Sequence, residues 1–174
     1  MPGLVFVDSH VLVYARDPRD PTKRALANDW LRLLWTEERG RTSCQALSEY
    51  HDFVTQVAKT LSAREDVWDD VQHYLLWNPQ PMDVEVLVGA REIEQRYSLA
   101  WKDCLVVAAA QAQGCVLLLS EGLQDGAEYG GIVVRSPFTL RIAEERGAYA
   151  VATRQVSRHR GRGRPRRRPA DATA

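Results

Sequence analysis

The stretch LVFVDSHVLVYA, residues 4–15, runs four core-type residues straight into an acid. Leu4, Val5, Phe6 and Val7 form a short run, β-branched and aromatic, of the kind that makes a strand buried on both faces. Asp8 stands at the exit of that strand. Either it caps the helix that follows, or it belongs to a site whose other members lie elsewhere in the chain. The choice depends on whether other acids occupy similar exits.

Downstream, helical periodicity dominates before apolar runs return. Residues 22–38 place Ala25, Leu26, Trp30, Leu33 and Leu34 at helical spacing, with Thr22 as the expected cap. A short extended piece is expected near Arg41 to Ser43. CQALSEYHDFVTQVAK then puts Ala46, Tyr50, Phe53, Val54 and Val57 on one helical face. AREDVWDDVQHYLL reads as a third helix, capped by Ser62, with Val67, Val71, Tyr74 and Leu75 as its apolar stripe. Two prolines in WNPQPMDVEV break the series, with a short strand expected around Met82 and Asp83. A helix over 85–97 follows, and then a mostly apolar one, AWKDCLVVAAAQAQG, that ends at Gly114. CVLLLS and IVVR read as further buried strands, joined by the polar loop EGLQDGAEYGG. Apolar strands separated by helices predict an α/β fold with a parallel sheet covered on both faces.

The 174 residues suit one domain, and a hydrophobic fraction of 45% with five tryptophans suits a folded one. Trp30, Trp35, Trp68 and Trp77 read as packing residues. No apolar run reaches the roughly 18–20 residues that span a bilayer, and the N-terminus carries no basic leader pattern. Cys44, Cys104 and Cys115 lack C-x-x-C spacing and read as reduced core thiols of a cytoplasmic protein. The formal charge of zero conceals an asymmetry. Eight arginines and one acid lie in residues 154–174, leaving 15 basic and 22 acidic residues in 1–153. The division predicts a domain over 1–150 and a basic, disordered tail over 151–174. Such a tail either neutralises nucleic-acid phosphates or is simply solvated.

The acids fall in a pattern. In open parallel sheets, ligands bind outside the carboxyl ends of the strands. Asp8 follows the first strand, and Ser120, Glu121 and Asp125 follow CVLLL. Glu49 lies early in its helix, beside the apolar face. Asp103 lies in the first turn of a nearly all-apolar helix, where it either caps that helix or points into a shared cleft. Singly, each has a plain structural explanation, including a simple Asp125-Gly126 turn. Clustered, the carboxylates repel one another unless a cation neutralises them. Oxygen ligands without Cys or His pairs point to Mg²⁺ or Mn²⁺, and ions so held serve phosphodiester hydrolysis.

VDSHVLVYA, SCQALSEYHDFVTQ, RYSLAWKDCLVVAAAQAQGC, LLLSEGLQDG and the closing IVVRSPF occur in an order that resembles a PIN-domain ribonuclease. Among these the chain is most similar to the VapC-type toxins of bacterial toxin–antitoxin pairs, over about residues 4–138. The resemblance implies a three-layer α/β/α sandwich around a short parallel sheet, and Mg²⁺- or Mn²⁺-dependent cleavage of RNA. It implies a catalytic set of Asp8, Glu49, Asp103 and Asp125, with Asp8 and Asp103 as direct metal ligands and Glu49 acting through water or charge balance. It further implies a homodimer inhibited by a small antitoxin.

The chain departs from the family pattern in three places. Relatives read Asp-x-Asn at the first motif, whereas this chain has Asp8-Ser9-His10. His10 can donate a hydrogen bond, pack, ligate a transition metal, or carry charge at mildly acid pH. Gly122 stands where relatives place an acid, with Glu121 and Asp125 near enough to compensate. Lys102 replaces an aromatic, and either meets a phosphate or faces solvent. These departures keep a second reading open, a catalytically weakened PIN-like module that binds RNA or protein. Other chemistries lack their motifs, since there is no P-loop, no G-x-G-x-x-G, no H-E-x-x-H and no G-x-S-x-G.

Overall fold

The apolar runs of the sequence become the inner strands of a five-stranded sheet in the computed structural model, which describes residues 3–57 and 61–144. The arginine-rich segment lies outside the described residues. β1 is Leu4–Val7 and α1 Ser9–Arg16, followed by α2, Pro21–Thr36. β2 is Gly40–Arg41, α3 Cys44–Val57 and α4 Leu61–Tyr74, which passes into a 3₁₀ turn, Leu75–Trp77. α5 is Val84–Tyr97 and α6 Trp101–Ala112. The chain then adds β3, Cys115–Leu119, β4, Glu128–Tyr129, and β5, Ile132–Arg135.

The strand order is β2-β1-β3-β5-β4, parallel throughout except for β4, which runs antiparallel to β5. The register sets Val5 beside Leu117, Phe6 beside Leu118 and Val7 beside Leu119. Alternate residues of a strand point to opposite faces, and the core divides accordingly. Val5, Val7, Leu117 and Leu119 pack with α1, α2, α3 and α4, around Leu12, Trp30, Leu34, Leu47, Tyr50 and Val67. Phe6, Leu118 and Val134 pack on the other face against α5 and α6, through Ala90, Ile93, Val106, Val107 and Ala110. Helices on both faces make the three-layer α/β/α sandwich expected from the sequence. Fully buried strands in such a sheet have no polar face, which is why they read as continuous apolar runs.

The structure revises several local expectations. Asp20 caps α2 by accepting from the Lys23 amide, with Pro21 at the first helical position, so the helix starts earlier than Thr22. Ser62 lies inside α4 instead of capping it. Asp83 is the N-cap of α5, accepting from the Val86 amide at 2.9 Å, and the extended contact sits earlier, as a bridge between Ser43 and Gln80. β4 arises within the loop read as irregular. Cys44 is exposed while Cys104 and Cys115 are buried, and Trp68 is likewise exposed. The backbone of Gly40 runs hard against the Trp77 indole, with no room for a side chain between them. Among the described residues, no helix is long and apolar enough to cross a membrane.

Candidate functional site

β1 and β3 are adjacent and parallel, and in open parallel sheets ligands bind outside the carboxyl ends of the strands. Asp8 stands at that point, its amide bonded to the Leu119 carbonyl at 3.1 Å. Its carboxylate does two things at once. Oδ1 accepts from the Ser9 amide at 2.7 Å and caps α1, while Oδ2 accepts from Ser120 Oγ, also at 2.7 Å. The two explanations that sequence left open for Asp8 are therefore compatible. Thr42 Oγ1 donates to the Val7 carbonyl at 3.0 Å and fixes the end of β1 from the other side.

Asp8 is buried, and burial alone would push its carboxyl up. The attraction of His10 and the hydrogen bonds from Ser120 and the Ser9 amide outweigh burial and hold it below the usual carboxylate range. His10 Nδ1 is 3.9 Å from Asp8 Oδ2, too far for a hydrogen bond, so its influence is that of a nearby charge. The Asp8 carboxylate in turn raises the imidazole's pKa. His10 is half-exposed at the edge of the site.

Asp103 does not cap its helix. The N-cap of α6 is Ala100, which supplies no side-chain bond. The Asp103 carboxylate makes no hydrogen bond or ion pair among the described residues. Burial pushes it above the usual range, and the negative charge of Asp8 pushes the same way, against Lys102 and His10. Glu49 lies on α3, a helix capped by Ser43, whose Oγ accepts from the Ala46 amide. Glu49 is well provided for. Ser9 Oγ donates to Oε2 at 2.7 Å, Gln45 Nε2 donates to Oε1 at 2.9 Å, and Lys102 Nζ lies 3.2 Å from Oε2. Lys102 is exposed, as one of the two sequence readings has it, and it also meets a protein carboxylate, which neither reading included.

Asp125 is engaged at another place. It accepts from Arg135 Nε at 3.0 Å, the Ser136 amide at 2.9 Å and Thr139 Oγ1 at 2.9 Å, which brace the loop against the end of β5. These partners draw its carboxyl down despite the opposing effect of burial. Glu121 pairs with Lys23, whose ammonium also lies over the rings of Tyr14 and Phe138. Asp8, Glu49 and Asp103 thus share one electrostatic neighbourhood, while the acids expected to compensate for Gly122 have other partners. Ser9 and Ser120, placed by the sequence beside the acids but given no role there, donate to Glu49 and Asp8. The available signal was a hydroxyl next to Asp8 and another at the matching strand exit.

A cleft of about 380 Å³ runs along this site, lined by Ser9, His10, Tyr14, Arg19, Glu49 and Lys102 among others. An apolar groove of about 360 Å³ adjoins it, sharing Val13 and Phe53 and continuing over Val54, Val57 and Val67. Among the described residues, no group of three or more His, Cys, Asp or Glu side chains converges tightly enough to enclose a metal ion. The carboxylates of the site are oxygen donors, the ligand type that Mg²⁺ and similar divalent ions take, commonly as one or two carboxylates together with waters and substrate phosphates. Asp8 and Asp103 are two such carboxylates, and among the described residues Asp103 has no hydrogen-bond or ion-pair partner.

Two solved structures share the fold. One is VapBC2 from Rickettsia felis bound to a DNA fragment from its promoter, at 13% identity and a TM-score of 0.54, covering 76% of this chain and 98% of that one. The other is DNA-bound VapBC from Salmonella typhimurium, at 14% identity and a TM-score of 0.55, covering 77% and 98% respectively. No curated protein matches the chain by sequence. The family model of the PIN domain matches residues 5–123, which takes in Asp8 at the exit of β1, the helix carrying Glu49 and the first turn of α6 carrying Asp103. With the sheet, the acids and that match in agreement, the chain belongs to the PIN-domain family.

Proposed function

We propose that the protein is a metal-dependent endoribonuclease that cleaves RNA phosphodiesters, the toxin of a type II toxin–antitoxin pair. The observation that carries this reading is that the Asp103 carboxylate feels the charge of the buried Asp8 carboxylate. Asp8 is oriented by hydroxyl and amide donors, while Asp103 is raised by burial and by the charge of Asp8 and has no hydrogen-bond or ion-pair partner among the described residues. Two carboxylates that repel one another in this way are unfavourable without a cation. Asp8 and Asp103 would hold Mg²⁺ or Mn²⁺, and Glu49 would act through water or as charge balance. The ion, when bound, supplies activation of water and stabilisation of the leaving oxygen.

The protein's own residues orient and exclude. Ser120 and Ser9 fix the rotamers of Asp8 and Glu49, and His10 sits where it can donate to a phosphate oxygen at the cleft edge. Asp125 we assign to shaping the wall, through its bonds to Arg135 and Thr139. The solved structures of similar fold are VapBC complexes, and this supports a small antitoxin as partner. The apolar groove beside the cleft suits an apolar segment of such a protein. Val84, Leu87 and Val88, exposed on α5, offer a face to a second copy in a homodimer. The setting proposed for this activity is the cytoplasm.

A specific observation favours a second reading, an inactive PIN-like module that binds RNA or protein. Gly122 brings no acid, and Glu121, Asp125 and Glu49 are all engaged by basic side chains. Cleavage of a mixed RNA panel with Mg²⁺ or Mn²⁺ separates the two. Wild type should cut, and Asp8→Ala and Asp103→Ala should not, while each stays folded by circular dichroism. Equal cutting by all three would reveal a contaminating nuclease. No cutting with any metal would select the binding module.

A further inference from the structure

The acidic cleft already holds a cation of the protein's own. Lys102 Nζ is 3.2 Å from Glu49 Oε2, and both side chains line the cleft. Glu49 takes donors from three elements, Ser9 on α1, Gln45 on α3 and Lys102 on α6. Asp103, the residue next to Lys102, takes none among the described residues. Successive helical residues project about 100° apart, so Lys102 and Asp103 leave α6 in different directions. The ammonium therefore reaches across to α3 and neutralises one carboxylate while the neighbouring one is left open. The lysine side chain is 51% exposed and that of Glu49 28%, and ion pairs so exposed contribute little to folding. Their consequence lies in the field of the cleft.

We propose that Lys102 is a resident counter-ion that competes with a divalent cation for Glu49. While the pair is made, Glu49 is withheld from a metal at Asp8 and Asp103, and the lysine charge repels that metal from within a Debye length. When the pair breaks, Glu49 becomes an acceptor for the metal's waters, and the freed ammonium turns to a phosphate of the nucleic acid. Towards the metal Lys102 is a positioning residue, since there it acts through Glu49. The inference rests on the metal-dependent reading above and deepens it, because it makes metal loading adjustable by one side chain.

The test is Mn²⁺ binding by titration calorimetry on the full chain without RNA, so that no turnover enters the readout. Lys102→Met keeps the apolar stem and removes the charge, and it should bind Mn²⁺ about tenfold more tightly than wild type. Lys102→Arg should match wild type. Glu49→Gln should cost little in the wild-type background and remove most of the gain in the Lys102→Met background. Equal or weaker binding by Lys102→Met overturns the proposal and leaves the metal-dependent reading intact, provided that Asp8→Ala abolishes wild-type binding. A tenfold gain that survives Glu49→Gln also overturns it, because the lysine would then act only as a distant charge. Absence of Mn²⁺ binding in wild type and every variant sinks the metal-dependent reading and the inference together.

Discussion

Ser120→Ala isolates one hydrogen bond on which the geometry of Asp8 depends. Ser120 is fully buried, and its hydroxyl donates to Asp8 Oδ2 at 2.7 Å while accepting from the Gly122 amide at 3.2 Å. A hydrogen bond to a charged group contributes about 1.5–3 kcal/mol, whereas the exposed Gly122 amide can turn to water at small cost. The expected loss at pH 7 is therefore about 2 kcal/mol, or about 4–8 °C in Tm for a chain of this size. The pH dependence gives the argument its edge. The folded pKa of Asp8 lies below the ordinary carboxylate value, so its stabilisation is present above about pH 4 and disappears as pH falls through the folded pKa. Ser120→Ala removes part of that depression. The stability gap between wild type and variant should be widest near neutral pH and should narrow as pH falls through the folded pKa of Asp8. Urea unfolding followed by circular dichroism across a pH series from neutral into the acid range, with EDTA present, measures it. A gap of constant size down to the acid limit of the folded state would mean that only packing was lost, and the electrostatic account of Ser120 would fail.

Two further outcomes follow from the glycines. At Gly122 an added Cβ would meet nothing closer than Ser120 Oγ at 3.9 Å, so Gly122→Asp should fold normally, restore an acid at the β3 exit and raise Mn²⁺ affinity several-fold by calorimetry. Unchanged affinity would place that position beyond reach of the metal. Gly40→Ala should lower the urea midpoint by an amount worth about 1–3 kcal/mol, because its Cβ would enter the ring of the buried Trp77. An unaltered midpoint would mean that β2 and the indole separate freely.

How much of this was legible in the sequence depended on how local the cause was. β1, β3 and β5 announced themselves because a parallel strand covered by helices carries apolar residues on both faces. β4 did not, since Glu128 and Tyr129 pair only as a two-residue edge inside a polar loop. Met82 and Asp83 were read as extended because two prolines precede them, whereas Asp83 is committed to capping α5. The acids were legible through family resemblance, and Asp8, Glu49 and Asp103 do fall within one electrostatic neighbourhood. Their partners were not. Ser120 lies 112 positions from Asp8, and the reach of Lys102 to Glu49 depends on how α6 and α3 are set on the sheet. No window of local sequence contains either contact. Asp125 shows both sides, for the Asp125-Gly126 turn was the simplest local reading and is present, whereas its bonds to Arg135, Ser136 and Thr139 reach 10, 11 and 14 positions along the chain.

The two edges of the sheet carry a last consequence. β2 and β4 are each two residues long, so neither margin exposes enough unpaired backbone to template a further strand. Recruitment of an extended peptide by strand addition is therefore disfavoured at both margins among the described residues. That favours a partner that comes in over helices instead, with side-chain fit rather than backbone pairing deciding its identity. The same short margins guard against fibrillar stacking, a hazard for any sheet left uncovered while its partner is absent.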